Sequence, residues 1–84
     1  MLTSEAVKVM VDVMAPFVGD TMARSAAEAH CLKLGIADGA ISSEQVEALL
    51  ARLGSGLNIF LGREKSSSVV DQMRAAVGVV GEAR

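Results

Sequence analysis

The sequence is poor in aromatic residues, proline and cysteine. It has no tryptophan or tyrosine, and its aromatic residues are Phe17 and Phe60. The single proline, Pro16, excludes collagen-like and proline-rich chains. The single cysteine, Cys31, can form neither an internal disulfide nor a multi-cysteine metal site. Because this usage is compatible with a reducing compartment, we expect a cytoplasmic protein.

The chain also lacks an excess of positive charge and a long unbroken apolar run. Eight Lys and Arg residues against ten Asp and Glu residues give a net charge of −2 at pH 7. A nucleic-acid partner requires a basic face, so we expect none. The most apolar stretch, residues 6–18, is interrupted by Lys8 and Asp12 and is shorter than the roughly 20 residues that span a bilayer. We therefore expect no integral membrane association.

What the chain has in abundance is aliphatic side chains. Hydrophobic residues make up 51% of its 84 residues, and the mean hydropathy is +0.42. This length fits one domain, residues 1–84, but a chain this small buries only about 62% of the surface that it exposes when unfolded. Surplus apolar surface is typical of an interaction site, so we expect self-association or an obligate partner.

The first segment is apolar around most of a helix. At about 100° per residue, Glu5, Lys8 and Asp12 form one narrow polar stripe. The remaining arc of roughly 200° is wider than a surface helix needs, which indicates either a central core helix or a dimer interface. Pro16 ends or kinks this helix. A strand over residues 7–13 remains open, because valine alternates there. The apolar residues of the arc are Val7, Val9, Met10, Val11, Val13 and Met14.

Three further helices are predicted. A second helix spans residues 17–34, ends at Gly35 and has a face made mostly of alanine, which suits close packing. A third spans residues 43–53, with Ser42 and Gln45 as a capping box and Gly54 as its stop. Residues 57–61 form a strand or a helical turn, of which we favour the turn. A last helix begins after the serines at 66–68; its apolar face comprises Val69, Val70, Met73, Ala76, Val77 and Val80.

Together these segments predict an all-α fold, a small oligomeric bundle of three to five helices. Short strands at residues 7–13 or 57–61, paired between subunits, are the main alternative. The first helix would then be central in the bundle or shared across a two-fold interface.

No residue pattern indicates catalysis or metal binding. Asp38 and Gly39 followed by Ile41 resemble the second half of an EF-hand loop, but Leu34 and Ile36 occupy positions where such a loop needs oxygen ligands. The chain has no paired carboxylates in an evident pocket and no set of nucleophile and base. We therefore expect no enzyme activity, no metal and no cofactor.

His30 is the one titratable side chain that we place on an apolar face. It lies among alanines of the second helix, and the adjacent Cys31 points about 100° away around the helix. We interpret His30 as a core or interface residue rather than a ligand. If it is buried in its neutral form, protonation near its reference pKa of about 6.5 opposes folding or assembly.

These observations favour a non-enzymatic interaction or scaffold module that acts through an apolar helix face. Its partner is an identical copy, in a homodimer or higher oligomer, or a protein with an amphipathic helix. The alternative is a small carrier that holds a hydrophobic ligand among its Met and Val side chains. The predicted partner interface comprises Val9, Met10, Val13, Met14 and Phe17.

Overall fold

Four helices pack into an all-α bundle over residues 1–82, which agrees with the predicted bundle of three to five helices. The computed structural model describes residues 1–82, in which no strand is present and Leu2 and Ala40 form an isolated antiparallel bridge. The strands considered at residues 7–13 and 57–61 are wrong, because both segments are helical. The helices are α1 (Thr3–Val18), α2 (Asp20–Lys33), α3 (Ser43–Leu61) and α4 (Arg63–Glu82).

Helix α1 begins at a residue that is tied to the loop between α2 and α3. The Thr3 amide donates to the Gly39 carbonyl at 2.7 Å, and the Thr3 hydroxyl donates to the Ala37 carbonyl at 2.9 Å. At its other end α1 continues past Pro16 and stops at Gly19, whose φ of +92° favours glycine. Helix α2 therefore begins after Gly19 and not at residue 17 as predicted.

The turn from α2 into α3 follows the prediction. Gly35 follows Leu34, the C-cap residue of α2, and adopts a φ of +68°, which is the left-handed conformation expected of a glycine at a helix end. Ser42 and Gln45 form the predicted capping box: the Gln45 amide donates to the Ser42 hydroxyl at 3.1 Å, and the Ser42 amide donates to the Gln45 side-chain oxygen at 2.9 Å.

Helix α3 does not stop at Gly54, so that prediction is wrong. It runs through Gly54 and Gly56 and ends at Gly62, whose φ is +80°. The reason lies in α4, which approaches Gly54 closely: a Cβ atom there would lie 3.0 Å from Cγ2 of Val70. In addition, the Ser66 hydroxyl donates to the Gly54 carbonyl at 2.9 Å. Gly54 thus serves helix packing rather than helix termination.

Helix α4 begins at Arg63, before the serines that were predicted to cap it. Ser66 is buried within the helix, with 2% of its surface exposed. The predicted apolar face is otherwise in place, since Val69, Met73 and Val77 are buried in the core. The side chain of Val80 lies outside the described residues.

The four helices do not pack equally. Helix α1 packs extensively against α2 and α4, and α3 packs extensively against α4, whereas the packing between α2 and α3 is sparse. Among the described residues no hydrogen bond or ion pair joins α2 to α3, while Arg74 and Glu47 link α4 to α3. Of the helix pairs that follow one another in the chain, α2 and α3 are consequently the least closely packed.

Candidate functional site

An apolar groove lies between α2 and α3 and is floored by the C-terminal half of α1. Its cavity volume is about 70 Å³, and its walls are almost entirely apolar. We call it the α2–α3 groove. Its lining residues are Met14 and Val18 of α1, Met22, Ala23, Ala26 and His30 of α2, and Leu53, Gly56, Leu57 and Phe60 of α3.

The residue sizes along α2 and α3 explain why the groove is open. On α2 the wall contains Ala23 and Ala26, whose short side chains leave space above α1. On α3 the lining positions 53, 56, 57 and 60 follow the spacing of one helix face, and Gly56 contributes no side chain to it. The short side chains of these two walls therefore leave the space between α2 and α3 unfilled.

The lip of the groove carries large apolar side chains that face solvent. Met22 is 43% exposed and Phe60 is 62% exposed. Phe17 and Ile59, also exposed, are next in the chain to the groove residues Val18 and Phe60. Met22 and Phe60 therefore give the groove two large apolar side chains that are exposed to solvent. Clustering of this kind marks an interaction site.

His30 is the polar group in the groove wall. Its Nδ1 atom is buried and has no hydrogen-bond partner. Burial lowers the pKa of the imidazole, and the positive charges of Lys33 and Arg52 lower it further. Neither cation forms an ion pair with any residue that the structure describes. These effects favour the neutral imidazole, and no carboxylate lines the groove to neutralise the ring if it is protonated.

The predicted interface residues divide between core and surface. Met10 and Met14 are 0% and 1% exposed, so the fold itself covers both. Val9 and Val13 are partly buried against the core, and Phe17 remains 36% exposed. Of these five residues the groove is lined by Met14 alone. The apolar arc of α1 is wide because α2 and α4 both pack on it, which is the central-helix alternative.

The sequence prediction missed the groove residues of α3. Leu57 and Phe60 continue the face of Leu53, but this continuity is visible only if the helix extends through Gly54 and Gly56. On α2 the sequence did place Met22, Ala23, Ala26 and His30 on one face. The helical spacing of Leu53, Leu57 and Phe60 could have indicated this face, but Gly54 and Gly56 were interpreted as the end of the helix.

Other candidate chemistry in the chain is weak. Cys31 is partly buried, and burial together with the charge of Glu28 raises the pKa of its thiol, which disfavours the nucleophilic thiolate. Within residues 1–82 no group of three or more His, Cys, Asp or Glu side chains is arranged to hold a metal ion. No helix in that same range is both long enough and apolar enough to cross a bilayer.

Comparison with known proteins adds no relative. No family model matches the sequence, and neither a curated protein nor a solved structure matches the chain. The function that the groove supports therefore rests on its shape, its exposed apolar side chains and the protonation of His30.

Proposed function

We propose that the protein is a non-enzymatic, cytoplasmic interaction module whose α2–α3 groove binds a second copy of the chain. The observation that carries this proposal is that one surface holds both an apolar cavity and an exposed aromatic side chain, Phe60, at its lip. Docking would bury both at once, and burial of apolar surface is the main driving force of association.

The combination of cavity and protruding side chain suits two identical copies. In a two-fold dimer the same patch meets itself, so residue i of one copy contacts residue j of the other and the reverse. Such a patch must contain both the protruding group and the hollow that receives it. Phe60 supplies the first, and the space beside Ala26 and Gly56 supplies the second.

The size of the cavity favours an anchoring side chain over a free ligand. Its volume of about 70 Å³ is less than half of the roughly 150 Å³ of an engineered cavity that binds benzene. Ligand pockets commonly have volumes of about 300 Å³ or more. A carrier that held a hydrophobic molecule in this groove, the alternative function, therefore has less support than a protein interface there.

Self-association can be tested by light scattering coupled to size exclusion over a dilution series, with two surface variants. Phe60→Ser removes the exposed ring at the groove, whereas Leu32→Ser removes a side chain that is 83% exposed and does not line the groove. We expect the parent chain and Leu32→Ser to dimerise equally. We expect Phe60→Ser to raise the Kd roughly tenfold or more, because buried aromatic anchors dominate interface energy.

A third variant fills the groove without removing apolar surface. Ala26→Leu places a larger aliphatic side chain in the cavity and should also weaken dimerisation, while circular dichroism confirms that the bundle still folds. A parent chain that stays monomeric at every concentration would overturn the pairing of identical copies. Equal loss of dimer in Phe60→Ser and Leu32→Ser would show that general hydrophobicity, and not the groove, causes association.

A further inference from the structure

The imidazole of His30 gives the groove a group whose charge changes near neutral pH. His30 is the chain's only histidine, and its buried Nδ1 atom has no partner in the bundle. The atoms that surround the cavity are almost entirely apolar. Any occupant of the groove covers His30 further, because this residue forms part of the wall.

Because Nδ1 of His30 has no hydrogen-bond partner, the neutral imidazole is favoured in the groove over the imidazolium. A neutral imidazole can carry its proton on Nε2 and leave Nδ1 as an acceptor. The imidazolium form must carry a proton on both nitrogens, so Nδ1 would become a buried N–H donor without an acceptor. A buried donor left unsatisfied is costly, and a buried charge without a counter-ion is more so.

The charged groups that face His30 add to this cost. Lys33 lies one turn further along α2, and the positive charge of Arg52 on α3 also acts on the ring. Helix α1 contributes Met14 and Val18 to the groove, and neither carries charge. No carboxylate acts on His30 among the described residues. Positive charge from two helices and apolar contact from the third therefore all disfavour the imidazolium.

We propose that His30 makes docking of the second copy pH-dependent: the groove accepts a copy when the imidazole is neutral and releases it when the imidazole is protonated. This inference rests on the proposed function, because it needs the groove to be the interface. Docking removes water from the ring, so it lowers the pKa of His30 below its value in the free chain. The affinity between copies is then highest at pH values above the pKa of the free chain, and it falls as the pH drops through that pKa.

A general charge effect acts in the opposite direction and must be separated from the His30 effect. The isoelectric point is near 5.2, so acidification from pH 7.5 to 5.5 brings the net charge towards zero. Lower net charge reduces repulsion between copies and favours association. The variant His30→Gln retains this general effect and lacks the imidazole, so it is the matched control.

The test compares the dimer Kd at pH 7.5 and pH 5.5 for the parent chain and His30→Gln. We expect the ratio of acid to neutral Kd to be about five- to tenfold larger for the parent chain, since a pKa shift of one unit corresponds to a factor of ten. Equal ratios in the parent chain and His30→Gln, with a dimer present at pH 7.5, would overturn the pH-dependence and leave the interface intact.

A spectroscopic measurement keeps the proposal testable if His30→Gln fails to fold. The single histidine gives one set of imidazole resonances, so its pKa can be titrated by NMR in the parent chain at concentrations above and below the dimer Kd. A lower pKa in the dimer supports the proposal, and an equal or higher pKa overturns it. Absence of a dimer at pH 7.5 would instead overturn the proposed function, on which this inference depends.

Discussion

At the residue scale, burial sets the protonation of the two adjacent titratable groups His30 and Cys31. Burial is the largest effect on each: it lowers the pKa of the imidazole and raises the pKa of the thiol. Both shifts favour the neutral form of the side chain. The sequence could predict the apolar face on which His30 lies, but not the missing partner of its Nδ1, which depends on α1 and α3.

A second residue whose role depends on its neighbours is Ser66. Its buried hydroxyl donates to the Gly54 carbonyl and joins α4 to α3. Ser66→Ala should lower the free energy of unfolding by about 1 kcal/mol, because it removes a buried hydrogen bond. Ser67→Ala, at an exposed position of the same helix, should change it by less than about 0.5 kcal/mol.

Chemical denaturation of both variants measures the difference. An equal effect of the two substitutions would show that the Ser66 hydrogen bond does not contribute to stability. The sequence pattern predicted that these serines cap the helix. In the structure the hydroxyl of Ser66 instead donates to the Gly54 carbonyl, because α4 approaches α3 closely there.

At the element scale, Gly54 permits the close packing of α3 and α4. Its substitution by alanine would bring a Cβ atom to within 3.0 Å of Val70, whose branched side chain has little freedom to move. We expect Gly54→Ala to lower stability by roughly 1 kcal/mol, because overpacking outweighs the gain in helix propensity.

The matched control is Gly78→Ala in α4. A Cβ atom at Gly78 meets no atom within 4 Å, so this substitution should stabilise the helix by roughly 0.5–1 kcal/mol. Thermal unfolding of the two variants should shift the Tm in opposite directions. If Gly54→Ala proved as stabilising as Gly78→Ala, then α4 would not require the absence of a side chain at Gly54.

The same glycine explains where the sequence prediction succeeds and fails. Ser42, Gln45 and Gly35 act through neighbours in the chain, so their local pattern predicts the turn correctly. Gly54 contacts α4, whose residues lie further along the chain. The local sequence pattern therefore predicts, wrongly, that the helix ends at Gly54. This error shortened α3 and separated Leu57 and Phe60 from the face to which they belong.

At the scale of the whole molecule, the exposed apolar side chains concentrate at one end of the bundle. The end of α1, the start of α2 and the end of α3 meet there and expose Phe17, Met22, Ile59 and Phe60. The sequence predicts the surplus of apolar surface from composition and size. It does not predict the position of this surface, because the packing of α2 and α4 on α1 decides which arc is covered.

A second copy would cover the apolar side chains that are exposed at this end of the bundle. Small scaffolds often gain stability from oligomerisation, because a single small hydrophobic core provides little free energy of folding. In this protein α2 has close neighbours on α1 and sparse packing on α3, so a docked copy would complete the environment of the α2–α3 groove. Dimerisation and stability should consequently rise and fall together.

The central claim is that two copies meet at the α2–α3 groove, and isotope-filtered NOE spectroscopy tests it most directly. The sample mixes labelled and unlabelled chains, so that only contacts between copies are detected. We predict NOEs from the Phe60 ring of one copy to Met22 and Leu57 of the other, since both line the groove. Intermolecular NOEs confined to Leu32 or Val79, or none in a sample that is dimeric by mass, would contradict the account.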